Sequence, residues 1–563
     1  MTALAALRGL LPRRADWQSV RSQPRRDLLA GLTVAIVALP LALGFGVASG
    51  LGASAGLVTA VVAGSLAAVF GGSNLQVSGP TGAMTVVLVP IVAQFGSGGV
   101  LTVGLLAGAI LVLLALARAG QLIRYVPAPV IEGFTAGIAG VILLQQLPAA
   151  LGVTAEGDRV LSLAWQATAA FVRQPQWTAL LITGTVAAAM LAGAHWRPGI
   201  PFSLLAVTVA TMVTAGFALP VATIGTLPAT LPVPSLAFFD LAAVPALASA
   251  AIAVAALAAL ESLLSATVAD GMSVGQRHDP DRELFGQGVA NLVTPLFGGV
   301  PATAAIARTA VNVRCGAGSR LAALSHAVIL AVIMLVAAPL VGHVPLAALA
   351  GVLIATAIRM VEVGALAALA RASRSDGLVM VLTAATTVLL DLVTAVLLGL
   401  VAAGALALRK IAQAVRVDRV PLDTGDHRAE EQALLAQHIV AYRLDGPLFF
   451  AAAHRFLLEL SDVADVRAVI LRMSRISTID ASGALVLRDA VDRLERRGIA
   501  VYLSGVQTTH RKALTAVGLL PRIEAAGRAC ADTPAAIAAA RQLLDPAAQN
   551  RDPVSDKALD PDR

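Results

Sequence analysis

From residue 28 to residue 117 the chain contains no Asp, Glu, Lys or Arg. A run of this length can hold three or four transmembrane helices, since each needs about 20 apolar residues. The composition agrees, because 57% of all residues are hydrophobic and 13% are charged, against roughly 25% charged residues in soluble domains. The sequence therefore predicts an integral membrane protein with an all-α membrane domain.

Apolar segments continue to about residue 408, and we expect about fourteen of them, several too short to span. They form two sets of seven, and a proline opens the third member of each set. The first set starts near residues 28, 53, 80, 100, 129, 177 and 201, and the second near residues 241, 283, 301, 321, 345, 376 and 390. Paired broken segments indicate a 7+7 inverted repeat.

The two proline-opened segments read QVSGPTGAM over residues 76–84 and GGVPATAA over residues 298–305. A helix that begins inside the membrane directs free N–H groups and the positive end of its dipole into the protein. Such an end is tolerated where it lines a cavity, and it favours an anion. Together these segments predict the binding site of an anion transporter.

Glu261 lies inside an apolar helical stretch, where an ionisable side chain costs at least ~2.5 kcal/mol by insertion scales. Ser265 follows four residues later, on the same helix face. A carboxylate with a hydroxyl suits a sodium ion or a proton, so we assign both residues to a coupling-ion site. The alternative is a hydrogen bond that only packs two helices together.

Three further side chains are candidates for the anion site. Arg308 lies seven residues after Pro301, about two helical turns into the second half-helix. It could place positive charge near an anion, pair with an acidic neighbour or extend to water. Thr81 and Thr303 are predicted in the first turn of each half-helix, where a hydroxyl could contact the ligand or satisfy local backbone groups.

Other charged groups favour structural interpretations. Glu132 is expected near a membrane face and Asp391 as a helix cap. The cluster 277–283 contains a single histidine and is expected to be a polar loop, so no metal site is predicted. The net charge of +7 does not indicate nucleic acid, because the arginines of residues 1–27 precede the first span. By the positive-inside rule they place the N-terminus in the cytoplasm.

Composition changes after residue 409. Strands are expected at residues 439–444, 467–472 and 499–503, and a helix at residues 483–497. This alternation predicts a small α/β domain. The predicted boundaries are 1–27 for the N-terminal segment, 28–408 for the transport domain, 409–435 for a linker, 436–545 for the α/β domain and 546–563 for a disordered tail.

Within the α/β domain, residues 480–483 (DASG) follow a strand and open a helix. Asp480 can cap that helix. Ser482 would be exposed at its N-terminus, where the dipole favours a phosphate group, so Ser482 is a candidate phosphorylation site. The alternative is that Ser482 is only a second helix-start residue.

These motifs resemble the SulP family of anion transporters over nearly the whole chain, and the C-terminal domain resembles a STAS domain. The resemblance implies a fourteen-segment, uracil-permease-like fold with a gate domain and a mobile core domain. It places the anion between the third and tenth helices. The stretches that carry it are residues 78–82, 129–137, 261–278 and 301–310.

By the same resemblance, Thr81, Ala304, Ala305 and Arg308 line the anion site, and Ser482 matches the serine phosphorylated in STAS-domain proteins. Glu261 and Ser265 fall where cyanobacterial bicarbonate carriers of this family hold sodium with Asp and Thr. This departure makes a proton on Glu261 an alternative to sodium. No cofactor is implied apart from the coupling ion.

The resemblance leaves the substrate open. Residues 38–50 are close to the bicarbonate branch, whereas helices eight and ten resemble the general branch. Sulfate is favoured, with bicarbonate or a C4-dicarboxylate as alternatives. The resemblance also implies a homodimer in the bacterial plasma membrane, with a cytoplasmic STAS domain that could bind a regulatory partner.

Two other function classes compete with this assignment. A nucleobase permease could use the same fold, but a neutral base does not call for Arg308. A membrane-anchored sensor could signal through Ser482. An enzyme is not predicted, because no phosphate-binding loop and no nucleophile–base set is found.

Overall fold

The computed structural model of the chain divides into two units by the contacts between residues, Met1–Ala403 and Gly404–Arg563. Each unit is described by itself. The predicted tail 546–563 and Asp391 lie outside the described residues. Those residues are 9–21, 23–121, 126–155, 159–196, 201–273, 276–390, 392–414, 416–419, 438–448 and 466–544.

The first half of the unit Met1–Ala403 is a series of helices, and the third of them contains a break at a glycine. They are α1 (Pro24–Ala48), α2 (Ala53–Phe70), α3 (Gly82–Leu116), α4 (Ala128–Gln145), α5 (Leu147–Leu151), α6 (Val160–Arg173), α7 (Trp177–Trp196) and α8 (Phe202–Gly216). Gly96 has φ 65° and ψ −167° inside α3, a conformation open to glycine at little cost. The third and fourth predicted segments therefore meet at Gly96.

The second half repeats this order. Its helices are α9 (Val244–Met272), α10 (Pro280–Val293), α11 (Ile306–Arg314), α12 (Arg320–Val341), α13 (Leu346–Met360), α14 (Val363–Ala372), α15 (Arg374–Leu389) and α16 (Leu392–Ala414). With α3 counted as two segments, α5 counted with α4 as one, and the short helices α6 and α14 left aside, these described helices form the fourteen predicted segments. Among the described residues, eight helices are long and apolar enough to cross a membrane by length and composition.

Two short helices were not predicted, and they occupy equivalent places in the two halves. α6 and α14 each follow the fifth segment of their half and precede the sixth. α6 exposes Trp165 and Val172, while Ala164 and Ala167 are buried. Each helix is too short for a span of its own, so a search for apolar segments of span length gave no signal. Their matching positions support the inverted repeat.

Helix directions follow the same scheme. α3 and α10 run antiparallel, because Gly108 packs against Leu292 while Gly120, twelve residues later, packs against Pro280. α4 and α15 run parallel, since Gly133 packs against Met380 while Gly137, later in α4, packs against Thr387, later in α15. Fourteen segments that cross the membrane in alternating directions require both the antiparallel pair α3 and α10 and the parallel pair α4 and α15.

Packing sorts the helices of the membrane unit into two groups. The core group contains α1, α2, α3 and α9–α12, which pack chiefly on one another. The gate group contains α4–α8 and α13–α16. Contacts between the groups are made mainly by α1 with α8 and α13 and by α3 with α4. The predicted core and gate domains are therefore both present.

Buried carboxylates cap the core helices at the end where α1 begins. Asp27 accepts hydrogen bonds from the backbone N–H of Gly318 at 2.7 Å and of Ser319 at 3.3 Å, and from the Ser319 hydroxyl. Asp27 is 1% exposed. This carboxylate therefore holds Ser319, whose side chain caps α12, and joins the start of α12 to the first turn of α1.

The N-terminal segment is attached to the same end of the core group. Asp16 forms an ion pair with Arg282 at the start of α10, with Nη2–Oδ2 and Nη1–Oδ1 distances of 2.6 and 3.1 Å. Burial alone would raise the pKa of Asp16, but the Arg282 contacts and the Arg13 backbone outweigh it and hold that pKa below its ordinary value. The pair therefore stabilises the fold at neutral pH and weakens in acid.

The second unit contains a mixed sheet with the order β3 (Arg416–Arg419), β4 (Ile439–Leu448), β5 (Ala468–Arg472), β7 (Ala500–Ser504) and β8 (Ala529–Cys530), with β6 (Ile476–Ile479) paired to β4. β4, β5, β7 and β8 are parallel. The helices are α17 (Ala481–Arg496), α18 (Thr508–Ala516), α19 (Leu519–Ala525) and α20 (Thr533–Leu544). The predicted α/β domain is confirmed.

One element of this unit falls where a linker was predicted. β3 pairs antiparallel with β4, and α16 extends to Ala414, so residues 409–414 and 416–419 have regular structure. β3 is a short edge strand with three charged residues in four, so its sequence carries no apolar pattern. Residues 420–437 of the predicted linker lie outside the described residues.

We expect Asp27→Ala to lower the thermal unfolding temperature of the detergent-purified protein. The change leaves the N–H groups of Gly318 and Ser319 without their acceptor, at a cost of about 1–3 kcal/mol. Thermal unfolding followed by intrinsic fluorescence measures it. Glu362→Ala, at an exposed carboxylate between α13 and α14, is the control. Equal unfolding temperatures for the two variants would contradict the capping role.

Candidate functional site

The two broken segments meet as a pair of short antiparallel strands between the repeats. β1 (Ser78–Gly79) pairs with β2 (Thr303–Ala304), with Ser78 opposite Ala304 and Gly79 opposite Thr303. All four residues are buried. Extended backbone buried inside a membrane protein is tolerated only where protein groups satisfy its N–H and C=O groups. The pairing supplies part of that requirement and holds the starts of α3 and α11 together.

Polar side chains of the core helices satisfy the rest of the extended backbone. Asn291 of α10 accepts from the Ala302 N–H and donates to the Ala302 carbonyl, each at 2.8 Å. The Ser262 hydroxyl accepts from the Ala304 N–H at 3.2 Å. The Ala305 N–H donates to the Val77 carbonyl at 3.0 Å. These bonds fix the strand path that leads into α11.

Both half-helices begin without a side-chain cap. α3 starts at Gly82 after the extended residue Thr81, and α11 starts at Ile306 after the extended residue Ala305. Neither preceding side chain accepts a hydrogen bond from its helix. The first N–H groups of a helix have no intrahelical partner, so each end keeps donors and a positive dipole for a ligand.

The start of the second half-helix differs from the prediction. Residues 301–305 are extended, so Thr303 lies in β2 rather than in a first helical turn, and Arg308 lies in the first turn of α11 rather than two turns in. Pairing with β1 holds this stretch extended, which delays the helix to Ile306. Thr81 likewise precedes the helix. Arg308 is therefore closer to the helix end than expected.

Arg308 is 1% exposed and keeps one nitrogen unused. Its Nη2 donates to the Pro80 carbonyl at 2.8 Å, which ties α11 to the start of α3. Its Nη1 has no hydrogen-bond partner among the described residues. Gly79, at φ 156°, makes room for it, since a Cβ there would lie 2.7 Å from Nη1. A buried cation with an unused donor suits an anion.

Glu261 is joined to the same place by Thr81. The Thr81 hydroxyl donates to Glu261 Oε2 at 2.9 Å, across from α9 to the residue that precedes α3. Two residues predicted for different roles, one for the coupling ion and one for the anion, are therefore in direct contact. A change in the charge of Glu261 would act on Thr81 and on the end of α3.

Ser265 has a different partner from the one expected. Its hydroxyl donates to Thr309 Oγ1 at 3.0 Å, and Thr309 also accepts from the Val77 N–H at 3.1 Å. Ser265 thus braces α9 against α11, and the group bonded to Glu261 is Thr81. The assignment of Ser265 to a coupling-ion site stays a prediction.

Several buried amides of the site were not singled out from the sequence. Asn291 holds Ala302, Gln287 donates to the Ser78 hydroxyl at 2.7 Å, and Asn312 donates to the Leu75 carbonyl at 2.7 Å. Carboxamides inside apolar helices signal a need to satisfy irregular backbone. That signal was available in the sequence next to the two proline breaks.

The two half-helix ends differ in exposure. Gly82 and the two residues after it are buried, whereas Ile306 is 40% exposed and Ala307 is also exposed. The first turn of α11 is therefore open on one side, while the first turn of α3 is covered by protein. Arg308 lies on the buried face of that same turn of α11.

Asp480 and Ser482 occupy the places expected for them. Asp480 caps α17 by accepting from the Gly483 N–H at 2.6 Å, and Ser482 is exposed in the first turn of this helix. The predicted polar loop 277–283 is a loop only up to Asp279, which caps α10, and there His278 bonds Asp270 at 2.7 Å. Residues 280–283 form the first turn of α10, and Arg282 and Glu283 are buried. No group of His, Cys, Asp or Glu suited to a metal ion occurs in the described ranges.

Two family models match separate parts of the chain, and the boundary between the two contact units, after Ala403, falls between these matches. Residues 25–383 match the model of the sulfate permease family. Residues 432–533 match the STAS domain model. The first match includes both broken segments, Glu261 and Arg308.

Full-length relatives cover most of the chain. It is 36% identical to the putative sulfate transporter YvdB of Bacillus subtilis over 517 residues, 89% of this chain and 94% of that protein. It is 31% identical to the bicarbonate transporter BicA of Picosynechococcus over 523 residues, 89% of this chain and 92% of that protein. These relatives are transporters, in agreement with the expectation that the chain is not an enzyme.

Solved structures share the fold. The transmembrane domain of a cyanobacterial BicA matches with a TM-score of 0.62 at 30% identity, covering 68% of this chain and 98% of that one. SLC26A9 matches with a TM-score of 0.81 over 96% of this chain and 94% of that one. Its identity of 17% means that this second match concerns the fold alone.

We expect Asn291→Ala to destabilise the protein by about 1–3 kcal/mol for each Ala302 group left unpaired. Asn291→Asp should restore only part of this loss, because a carboxylate accepts from the Ala302 N–H but cannot donate to its carbonyl. Thermal unfolding in detergent measures both, with Gln166→Ala on the exposed face of α6 as control. Unfolding temperatures equal to that of the control would rule out a stabilising role for the hydrogen bonds between Asn291 and Ala302.

Proposed function

We propose that this chain, which belongs to the sulfate permease family, carries a small inorganic anion, with sulfate favoured, across the membrane as a secondary active transporter. It is a multi-pass membrane protein and an anion transporter of that family. The substrate, the coupling ion and the movement are the parts proposed here.

The observation that carries the proposal is the convergence of two uncapped helix ends with one buried guanidinium. The N-terminal N–H groups of α3 and α11 supply donors and two positive dipole ends. Arg308 adds a full positive charge and the unused Nη1 donor. A neutral nucleobase would make no use of the charge of Arg308 or of the two positive helix ends, which disfavours the permease alternative.

Sulfate is favoured because the site offers many donors around a positive charge, which suits a tetrahedral dianion. The relative YvdB, named a putative sulfate transporter, is 36% identical, and BicA, named a bicarbonate transporter, is 31% identical. Bicarbonate and a C4-dicarboxylate are the alternatives. All three carry negatively charged oxygens, so the same helix ends and Arg308 could hold each of them.

Coupling is assigned to Glu261, with a proton favoured over sodium. The Thr81 hydroxyl, which donates to Glu261, stands at the end of α3 that is proposed to hold the anion. A protonated Glu261 no longer competes with the anion for the charge of Arg308 and for the Thr81 hydroxyl. Ser265 bonds Thr309 instead of Glu261, which weakens the case for a sodium ion shared by the two residues.

The core group is proposed to carry the anion past the gate group in an elevator-like alternating-access movement. The anion site and Glu261 belong wholly to core elements, so they could move as one body. An even number of crossings places the N-terminus and the STAS domain on the same side, which the N-terminal arginines assign to the cytoplasm of a bacterial plasma membrane. The STAS domain is proposed to support a homodimer and to bind a regulatory partner, with Ser482 as phosphorylation site.

Uptake by purified protein in liposomes tests this function. Vesicles loaded with unlabelled anion should take up labelled sulfate, bicarbonate or fumarate by counterflow, with pH and sodium varied in turn. We expect sulfate counterflow that responds to pH. Absence of transport for every anion, with Ser482 phosphorylated in cells, would favour the sensor alternative.

We expect Glu261→Gln to abolish accumulation of the anion under an inward proton gradient while counterflow persists. Glutamine keeps an acceptor oxygen for Thr81 but cannot carry a proton. Glu132→Gln, at a half-buried carboxylate of α4 outside the site, should accumulate the anion as wild type does. Wild-type accumulation by Glu261→Gln, with unchanged pH dependence, would remove Glu261 from coupling.

We expect Arg308→Lys to weaken apparent anion affinity about tenfold or more, because a charge-assisted hydrogen bond contributes roughly 1.5–3 kcal/mol. The lysine ammonium can reach one acceptor but lacks the second guanidinium nitrogen. The apparent KM of counterflow measures the change. Arg359→Lys, at the C-terminal end of α13, is the control. Equal KM values for the two variants would exclude a direct contact between Arg308 and the anion.

A further inference from the structure

A gate helix contacts the core directly at the end of α3. A Cβ added at Gly82 would overlap the tip of Ile142 in α4 and would lie 3.1 Å from Ile142 Cγ1. The same Cβ would lie 3.1 Å from the ring edge of Phe45 in α1. Ile142 is 2% exposed. The first residue of the half-helix is therefore covered by one apolar side chain from the gate group and one from the core.

A second contact of the same kind occurs beside the first. Leu353 of the gate helix α13 packs on Gly44 of α1, where an added Cβ would lie 3.1 Å from Leu353 Cγ. Leu353 is 1% exposed. α4 and α13 are the fifth segments of the two repeats. Both repeats thus place a branched aliphatic side chain of the gate against a glycine of the core.

These contacts lie on one side of the anion site. Phe45 is near the C-terminal end of α1, and Ile142 is near the C-terminal end of α4. Both helices run outward if the N-terminus is cytoplasmic, so both side chains lie in the outer half of the membrane. α11 runs inward, and its first turn is the exposed one. On this side the first residue of α3 is covered by protein, whereas the first turn of α11 is exposed on one face.

We propose that Ile142 and Leu353 form the outer gate of the anion site, and that their contacts with Gly82 and Gly44 must separate in every transport cycle. The inference rests on the proposed function and deepens it by naming the residues that block outward access.

The chemistry of the contacts suits a surface that opens repeatedly. A branched aliphatic side chain against a glycine excludes water and ions from the helix end, so the anion cannot leave outward. No hydrogen bond has to break when such a contact separates, and only apolar surface is transferred. A Cβ at Gly82 would occupy the space that Ile142 fills, and a Cβ at Gly44 would require Leu353 to shift by a few tenths of an ångström.

Reversible cross-linking tests the proposal. In a background with Cys315→Ser and Cys530→Ser, one protein carries Gly82→Cys with Ile142→Cys, and a second carries Gly44→Cys with Leu353→Cys. The γ-carbons of Ile142 and Leu353 stand where cysteine sulfurs would be, each 3.1 Å from the partner's Cβ, which suits a disulfide. We expect both pairs to form disulfides on oxidation, uptake to fall to the level of empty liposomes, and reductant to restore it.

A matched pair on the same gate helix serves as control. Gly140→Cys with Val388→Cys joins α4 to α15, both in the gate group, and a Cβ at Gly140 would lie 3.5 Å from Val388 Cγ2. This disulfide should leave uptake unchanged, because these helices need not separate. Full uptake by both cross-linked gate–core proteins would overturn the proposal, as would cross-linking of the control pair alone. Wild-type uptake, measured in parallel, reports on the proposed function independently.

A steric double-mutant cycle provides a test without oxidant. Gly82→Ala should reduce uptake strongly, and Ile142→Ala in addition should restore it, because the truncation removes the atoms that the new methyl group meets. Gly184→Ala in α7, where an added Cβ meets nothing within 4 Å, should be neutral. Loss of uptake in Gly82→Ala that Ile142→Ala fails to relieve would contradict the contact.

Discussion

The structure depends on one requirement, the satisfaction of extended backbone inside an apolar protein. β1 and β2 satisfy part of each other's backbone hydrogen-bonding groups. The side chain of Asn291 satisfies the backbone of Ala302, and that of Ser262 satisfies the N–H of Ala304. These partners take up the backbone groups before the helices begin and leave the first N–H groups of both half-helices free. The same bonds that make the break tolerable therefore create the donors that an anion can use.

The fold could be read largely from hydropathy, because charge-free segments of span length can only be helices in a membrane. The helix starts and both broken segments were located from the sequence in this way. The start of α11 at Ile306 could not be located from the sequence, because it depends on the pairing of β1 with β2, which come from opposite halves. The short helices α6 and α14 were also not predicted, because each is too short to span a membrane by itself.

The site was predicted in its residue types more than in its contacts. Glu261 and Arg308 stood out as charges in apolar sequence, a cost that function explains. Their partners could not be inferred, because Thr81 reaches Glu261 and Arg308 reaches Pro80 only after segments from the two halves meet. Ser265 shares a helix face with Glu261 but bonds Thr309, since α11 packs against that face.

The central claim is that an anion binds between the ends of α3 and α11 beside Arg308. An experimental structure of the protein with selenate, a heavier analogue of sulfate, tests it most directly. The account predicts selenate density within hydrogen-bond distance of Arg308 Nη1 and of the N–H groups that begin at Gly82 and Ile306. Density only elsewhere, or an empty site at a selenate concentration that saturates uptake, would contradict it.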